Sequence, residues 1–331
     1  MGRIRRLDDH LATLIAAGEV VAGPVSVVRE LIDNALDAGA TAIDVTVEEG
    51  GLRSIRVADN GQGMDEADAV LCLARHATSK IAAPEDLASI LTLGFRGEAL
   101  AAIAAVSHLK LETRRADDAS GTSVRAAGGT VAETRPVARR PGTTIEVGHL
   151  FYNTPARREF QDSARAESAR VLQAVERLAI ARPAVRFTFR DGERELLDLP
   201  PATDLLERIR QIYGDELADA LIPVRAERGA IAVAGYVARP TAAVRRPRRN
   251  TFLVNGRPFE SFEIRRLLTT TFAHLVPQGH HVEAVLTIEL PPSEVDVNVS
   301  PDKSQVRFRR AGQLLAAVTD ALHYEIGRAH V

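Results

Sequence analysis

Residues 27–40, VVRELIDNALDAGA, combine a hydrophobic helical pattern with acidic and amide side chains along one edge. At about 100° per residue, Glu30, Asn34 and Asp37 fall within roughly 60° of one another. The hydrophobic residues take the opposite side of the helix: Val28, Leu31, Ile32 and Ala35. A carboxylate beside a carboxamide can orient a water molecule and bind a hard cation. The same pattern is typical of a solvated helix face, so both interpretations stay open at this point.

The elements around this helix must position its polar edge. Pro24 near the start and Gly39 just past the end predict the limits of the helix. Residues 43–57 then alternate isoleucine and valine around Glu-Glu-Gly-Gly, which predicts an antiparallel hairpin. The second strand of this hairpin leads directly into Asp59.

Residues 59–63, DNGQG, suit the base of a purine nucleotide. An ionised Asp59 at a strand end can accept a hydrogen bond from an exocyclic amine, and such a bond is worth ~1.5–3 kcal/mol. That free energy is enough to select adenine over a purine that lacks the amine. Gly61 and Gly63 remove side chains that would keep a flat base off the backbone. An ordinary tight turn is the alternative.

Other segments suit the phosphates. GFRGEAL, residues 94–100, joins a Gly-flanked turn to a helix start, where free N–H groups hold phosphate; an ordinary helix N-terminus is the alternative. Two of the three lysines, Lys80 and Lys303, lie in Gly/Ser/Pro-flanked loops and are candidate phosphate contacts. The P-loop and Rossmann glycine patterns are absent, which excludes those two nucleotide-binding classes.

Asn34 and Glu30 would then act on the phosphate end. One carboxamide oxygen is sufficient for Mg²⁺, which keeps most of its waters and also binds phosphates. Glu30, one turn away, can deprotonate a water for attack on the terminal phosphorus.

Composition predicts a soluble cytosolic protein of about two domains. The chain has 331 residues, 45% of them hydrophobic, and a formal net charge of −2, so nucleic-acid binding requires local basic patches. The single cysteine, Cys72, excludes an internal disulfide. The sequence supports neither a signal peptide nor a membrane span. Residues 326–331 are interpreted as a non-native tail.

The order of predicted elements indicates an α+β fold. After the hairpin, helical pattern continues over residues 65–77, and strands predominate from about 109 to 150. A helix near 163–181 and two strands close a first domain, 1–200. A second domain, 201–325, contains three predicted strands, helices near 261–275 and 311–325, and one basic run, 244–250.

Together these residues resemble the MutL family of DNA mismatch-repair ATPases, in the GHKL superfamily. The motifs occur in the family's order and cover nearly the whole chain: IAAGEVV, VVRELIDNALDAGA, DNGQGM, ARHATSK, GFRGEAL, FYNTPAR, LVNGR and VDVNVSPDKSQVRF. The resemblance implies a Bergerat (GHKL) ATPase sandwich followed by a ribosomal-protein-like α/β second domain.

The resemblance also implies a role for each site residue. Glu30 would be the general base, Asn34 the Mg²⁺ ligand, and Asp59 the partner of the adenine amine. The residues implied to surround the nucleotide are Gly61, Gly63, Thr143, the lid residues Thr78, Ser79 and Lys80, and the phosphate-wrapping Gly94, Phe95, Arg96, Gly97, Glu98, Ala99 and Leu100. Lys303 of the second domain would sense the γ-phosphate.

By resemblance, ATP binding closes a homodimer clamp on DNA and slow hydrolysis reopens it. The implied partners are DNA, the mismatch-recognition protein MutS and downstream repair enzymes, in a bacterial cytoplasm. The candidate DNA contacts, chosen by charge, are Arg245, Arg246, Arg248, Arg249, Arg265 and Arg266.

The chain departs from the family pattern at three places. Ser300-Pro301-Asp302-Lys303 replaces His-Pro-Ala-Lys, Ala22-Gly23-Pro24 replaces Glu-Arg-Pro, and the Arg-Asp usual after Asn-Gly-Arg is missing. Two other functions stay open: a nucleotide-gated scaffold that hydrolyses ATP negligibly, and another GHKL protein such as a histidine kinase, a gyrase subunit or a chaperone.

Overall fold

The computed structural model describes residues 8–75, 77, 98–297, 299 and 305–326. The chain divides into two units. The first runs to Val175 and resumes over Val185–Pro200, and the second comprises Glu176–Ala184 and the chain from Pro201 onward. Among the described helices, none is both long and apolar enough to cross a lipid bilayer.

The first unit is built on an eight-stranded sheet. Its strands are β1 (Ala42–Glu48), β2 (Ser54–Asp59), β3 (His108–Arg114), β4 (Gly121–Ala127), β5 (Thr130–Val137), β6 (Gly142–Gly148), β7 (Arg186–Asp191) and β8 (Arg194–Leu199). They are ordered β5-β4-β3-β6-β2-β1-β7-β8, and only β1 and β7 pair in parallel. The sheet therefore places the last residue of β2 beside the start of β6.

The predicted hairpin is confirmed as β1 and β2. Val45 pairs with Val57 and Val47 with Ile55, and all four side chains are buried. Alternation places this set on one face of the sheet, since successive strand side chains point to opposite faces. Strand β2 ends at Asp59, as the sequence predicts.

Helices cover this sheet. They are α1 (Asp9–Val20), α2 (Pro24–Asp37), α3 (Glu66–Leu71), α4 (Ala99–Ala105), α5 (Pro155–Glu159) and α6 (Ala164–Ala181). Helix α2 packs on β1 and β2, and α4 packs on α1, β3 and β4. Helix α3 ends earlier than predicted, because the N–H groups of Leu73 and Ala74 bond three residues back and tighten its last turn.

The second unit is a five-stranded sheet with helices. Its helices are α7 (Leu205–Tyr213), α8 (Asp215–Ala220), α9 (Phe262–Phe272) and α10 (Ala311–Ile326). The strands are β9 (Leu221–Arg228), β10 (Ile231–Ala238), β11 (Thr251–Val254), β12 (Arg257–Phe259) and β13 (Ala284–Glu289), in the order β12-β11-β13-β10-β9, with the separate pair β14 (Val295–Asp296) and β15 (Arg307–Phe308). Helices α9 and α10 share one hydrophobic core with the sheet. The predicted α+β class is confirmed.

Candidate functional site

Helix α2 carries the polar edge formed by Glu30, Asn34 and Asp37, here called the acidic edge. Pro24 lies in the first turn. Backbone N–H groups in the first turn have no partner within the helix, so proline is accepted there without the loss of a helical hydrogen bond. Gly39, past the end, has a φ of 73°, a left-handed conformation that glycine adopts without strain. The predicted helix limits are confirmed, and the hydrophobic stripe is buried as predicted.

The acidic edge does not face bulk solvent along its whole length. Glu30 is only 9% exposed, and Asn34 and Asp37 are half-buried. Carboxylates are rarely buried without a reason, because desolvation of the charge is unfavourable. The solvated-face interpretation is therefore wrong for Glu30.

Asp59 ends strand β2 as a partly satisfied acceptor. Its Oδ1 accepts hydrogen bonds from the backbone N–H groups of Gly61, at 2.8 Å, and Thr143, at 3.3 Å. Its Oδ2 accepts none from the residues that the structure describes. Burial raises the pKa of the Asp59 carboxyl, while these two N–H groups and the charge of Arg139 oppose the rise. One oxygen is thus fixed in place, and the other can accept a hydrogen bond from a ligand.

Two hydrogen bonds connect the acidic edge to the loop after Asp59. The Gln62 N–H donates to the Ala38 carbonyl at 2.9 Å, and the Ala38 N–H donates to the Asn34 carbonyl at 3.0 Å. The loop of residues 59–64, here called the strand-end loop, is therefore held one helical turn from Asn34. The structure thus brings together two elements that lie about 25 residues apart in the sequence.

The glycines of the strand-end loop are needed for a reason that the sequence does not reveal. A Cβ on Gly61 would lie 2.8 Å from the Ala38 carbonyl oxygen, and a Cβ on Gly63 would lie 2.0 Å from the Arg114 carbonyl oxygen. A side chain at either position would therefore point at protein backbone. Their requirement for glycine comes from the packing of the loop and does not depend on a base approaching it.

We expect Gly63→Ala to lower the free energy of unfolding by at least about 2 kcal/mol, because a left-handed φ of 69° is combined with the backbone clash. Gly192→Ala is the matched control. Its φ is 60° and nothing lies within 4 Å of the added Cβ, so only the conformational penalty of about 1 kcal/mol applies. Urea unfolding of both variants measures the difference. Equal losses would contradict the proposed close approach.

Thr143 is connected to the strand-end loop by side-chain hydrogen bonds. Its hydroxyl lies 3.0 Å from that of Thr113 on β3, which also accepts a hydrogen bond from the Met64 N–H at 2.9 Å. Because β6 lies between β2 and β3, these bonds fix Thr143 beside Asp59. The structure therefore brings Thr143, Asp59 and the loop glycines together.

Only part of the predicted phosphate-binding segment can be described. Helix α4 begins at Ala99, and the Ala102 N–H donates to the Glu98 carbonyl at 2.8 Å. Leu100 follows in the first turn. The other predicted phosphate and lid residues lie outside the described residues: Thr78, Ser79, Lys80, Gly94, Phe95, Arg96, Gly97 and Lys303.

The FYNTPAR motif braces helix α4, a role that the sequence pattern alone did not suggest. The Asn153 side-chain amide donates to the Ala105 carbonyl at 2.8 Å, and the Phe151 N–H donates to the Val106 carbonyl at 2.8 Å. Phe151 is fully buried and adopts a φ of 64°. The strain and burial of Phe151 are visible only in the structure, so the sequence carries no signal for this role.

Helix α5 and its flank also hold the end of α1. The Arg157 guanidinium packs so closely on Gly18 that a Cβ there would lie 1.6 Å from Nη2. The Gln161 side-chain amide donates to the Ala22 carbonyl at 3.3 Å. The IAAGEVV and FYNTPAR motifs are therefore in direct contact, and a side chain at position 18 would displace the Arg157 guanidinium from its present place.

Four of the six candidate arginines lie in one loop of the second unit. The buried carboxylate of Glu283 accepts hydrogen bonds from the backbone N–H groups of Arg248 and Arg249, at 2.9 and 3.1 Å. The Arg249 guanidinium lies 5.6 Å from the Tyr213 ring centroid and 3.9 Å from the Glu283 carboxylate. Arg249 is thus partly neutralised and its loop is fixed to the sheet.

The other two candidates lie on α9, about one turn before Thr269, which connects this helix to the loop through His281. Val244 pairs with His281, and the Thr269 hydroxyl of α9 lies 3.3 Å from His281 Nδ1. The six candidates are here called the arginine surface. Arg265 is bonded to Glu260, whereas four members form no ion pair with any other described residue: Arg245, Arg246, Arg248 and Arg266.

The described residues hold no group of three or more His, Cys, Asp or Glu side chains arranged for a metal ion. A Mg²⁺ ion that is bound mainly by phosphates and water requires no such group. The half-buried Asn34 carboxamide, on an otherwise acidic edge, supplies the type of hard oxygen donor that this ion prefers. The donor set therefore fits Mg²⁺ bound together with a phosphate ligand.

Two family models match this chain in the order of its units. Residues 23–145 match the histidine kinase-, DNA gyrase B- and HSP90-like ATPases, and residues 209–326 match the DNA mismatch repair protein C-terminal domain. The order of the two matches identifies a GHKL ATPase domain followed by a mismatch-repair domain.

The chain belongs to the MutL family of DNA mismatch-repair proteins. It is 48% identical over 329 residues to the DNA mismatch repair protein MutL of Anaeromyxobacter dehalogenans (strain 2CP-C), a match that covers 99% of this chain and 54% of that protein. The chain therefore spans about half the length of the curated relatives it matches. The predicted resemblance is confirmed.

Solved structures agree with this assignment. The Aquifex aeolicus MutL ATPase domain complexed with ADP superimposes with a TM-score of 0.63 at 29% identity, covering 82% of this chain and 94% of that one. The N-terminal domain of a DNA repair protein superimposes with a TM-score of 0.83 at 24% identity, over 96% of this chain and 98% of that one. The second match supports the fold alone.

Proposed function

We propose that the first unit binds Mg-ATP between the acidic edge and the strand-end loop and hydrolyses it to ADP and phosphate. The observation that carries this proposal is the hydrogen-bonded path from Asn34 through Ala38 to Gln62, which holds the two elements together. The related Aquifex aeolicus domain is complexed with ADP, which supports a nucleotide as the ligand.

At the adenine end, Asp59 Oδ2 accepts a hydrogen bond from the exocyclic amine. Oδ1 is already fixed by Gly61 and Thr143, so the carboxylate is oriented before the nucleotide arrives. A preoriented acceptor loses little freedom on binding, which favours affinity. The backbone of Gly61 and Gly63 and the side chain of Thr143 border the base.

At the phosphate end, Asn34 supplies an oxygen ligand to Mg²⁺, which neutralises the triphosphate charge when bound. Glu30 accepts a proton from the attacking water. The water oxygen forms a bond to the γ-phosphorus while the bond from that phosphorus to the oxygen of ADP breaks. Because Glu30 is mostly buried, it acts from a site that bulk water reaches poorly.

Other segments complete the phosphate site in this proposal. Backbone N–H groups of Arg96, Gly97, Glu98, Ala99 and Leu100 wrap the phosphates. Lys303 contacts the γ-phosphate, and Thr78, Ser79 and Lys80 belong to a lid. Of these, Glu98, Ala99 and Leu100 start a helix that is braced by FYNTPAR.

ATP binding is proposed to close a homodimer around DNA, and slow hydrolysis to reopen it. A change from 1:99 to 99:1 in favour of the closed dimer needs about 5.5 kcal/mol of differential binding. The arginine surface contacts DNA phosphates, mainly through its four members without ion pairs. MutS and downstream repair enzymes are the proposed partners, in a DNA-associated cytoplasmic location.

Light scattering of the 331-residue chain with and without a non-hydrolysable ATP analogue tests this proposal. We expect the weight-average mass to double when the analogue and Mg²⁺ are present. ADP is the matched control, and we expect it to leave the mass near that of one chain. An unchanged mass at saturating analogue would contradict the nucleotide-driven clamp.

A further inference from the structure

Phe262 is exposed at an unusual place in the second unit. Its side chain is 74% exposed, and no other large hydrophobic side chain in the described part of that unit is comparably exposed. Scattered exposed hydrophobic residues are common on protein surfaces. What distinguishes this residue is its position one helical turn before Arg266, a member of the arginine surface.

The start of helix α9 does not require a phenylalanine. Ser261 is the N-cap, and its hydroxyl accepts the Ile264 N–H at 3.2 Å. The buried side of the helix consists of Ile264, Leu268 and Phe272. Phe262 contributes neither to the cap nor to this core, so neither local stability nor packing explains an aromatic ring at this position.

Phe262 shares the outer ridge of α9 with a cation. At about 100° per residue, Phe262, Arg266 and Thr269 fall within roughly 60° of one another, and side chains four residues apart are neighbours. Arg266 forms no ion pair with another described residue. Thr269 connects this ridge to His281 and so to the loop that carries Arg245 and Arg246.

We propose that Phe262 stacks on an unpaired base of single-stranded DNA whose phosphates contact Arg266 and the neighbouring loop arginines. This inference rests on the proposed DNA function of the arginine surface. An aromatic face beside unneutralised cations is the combination that binds single strands, because the ring stacks on a base while the cations follow the backbone. Bases in an intact duplex are already stacked on one another and offer no free face to the ring. The partner is therefore an unpaired segment of DNA.

Equilibrium binding of a labelled single strand, and of the duplex made from it, tests the role of Phe262. For Phe262→Ala we expect single-strand affinity to fall by about 5- to 100-fold and duplex affinity to change less than about twofold. Phe262→Trp keeps an aromatic face and is expected to retain single-strand binding. Phe160→Ala removes a phenylalanine that is 89% exposed in the first unit, and this matched control is expected to behave as wild type.

Salt titration of the wild-type chain separates this inference from the function on which it rests. A steep loss of affinity with salt supports phosphate contacts by the arginine surface. Suppose that affinity falls steeply as the salt concentration rises, but that Phe262→Ala binds the single strand as tightly as wild type. The stacking role alone is then refuted. An equal loss on single strand and duplex would also refute it. A flat salt profile would refute the DNA role of the arginine surface, and the role of Phe262 with it.

Discussion

Glu30→Ala is expected to retain Mg-ATP binding and to reduce phosphate release by about 10²- to 10⁴-fold, the usual contribution of a general base. Binding survives because the adenine and metal contacts belong to Asp59 and Asn34. Single-turnover phosphate release, measured at saturating Mg-ATP, tests this expectation. Glu30→Gln should give the same result with side-chain size preserved.

The control for Glu30 lies on the same helix. Asp37 belongs to the acidic edge but has no assigned role, so Asp37→Asn should leave turnover within about threefold of wild type. If Glu30→Ala released phosphate as fast as an active wild type, the assignment of the base would be refuted. If wild type and Glu30→Ala both released phosphate at a negligible rate, the nucleotide-gated scaffold would be favoured.

Asn34→Ala is expected to weaken Mg-ATP binding by more than about a hundredfold, because it removes the single protein oxygen assigned to the metal. Without Mg²⁺, the variant and wild type should bind ATP equally weakly, since the contacts of Asp59 are unchanged. Titration calorimetry with and without a chelator measures both conditions.

Asn34→Asp provides the matched comparison for the metal assignment. It keeps an oxygen donor of the same size, so we expect it to bind Mg-ATP more tightly than Asn34→Ala does. Tight Mg-ATP binding by Asn34→Ala would contradict the assignment, and so would an equal loss in the presence and absence of Mg²⁺.

Elements with strong local patterns could be predicted from the sequence. Hydrophobic residues recur at helical spacing in α2 and at every second position in β1 and β2, so the sequence predicts a helix and two strands there. Pro24 and Gly39 mark the limits of the helix. The alternation continues up to Asp59, so it also predicts that Asp59 lies at a strand end. These features depend on residues within a few positions of one another.

The edges of the second sheet were not predicted. Strand β9 is an edge strand whose charged residues Arg225 and Glu227 interrupt the hydrophobic pattern. Edge strands often carry charge, which prevents pairing with another chain. Strand β12, on the opposite edge, has only three residues, which is too short for a periodic signal.

The connections within the site could not be predicted either. The Gln62 to Ala38 hydrogen bond and the support of Arg248 and Arg249 by Glu283 join residues that lie far apart in the chain. The need for glycine at positions 61 and 63 likewise depends on where Ala38 and Arg114 lie in the folded chain. Such contacts are products of tertiary packing, for which no local pattern exists.

The central claim is that a nucleotide binds with its adenine amine on Asp59, and calorimetry with two triphosphates tests it most directly. ATP should bind about 10- to 100-fold more tightly than purine riboside triphosphate, which lacks the exocyclic amine, because a hydrogen bond to a charged group is worth ~1.5–3 kcal/mol. Asp59→Asn should reduce this preference to about threefold or less. Equal affinity of the wild-type chain for the two nucleotides would contradict the account.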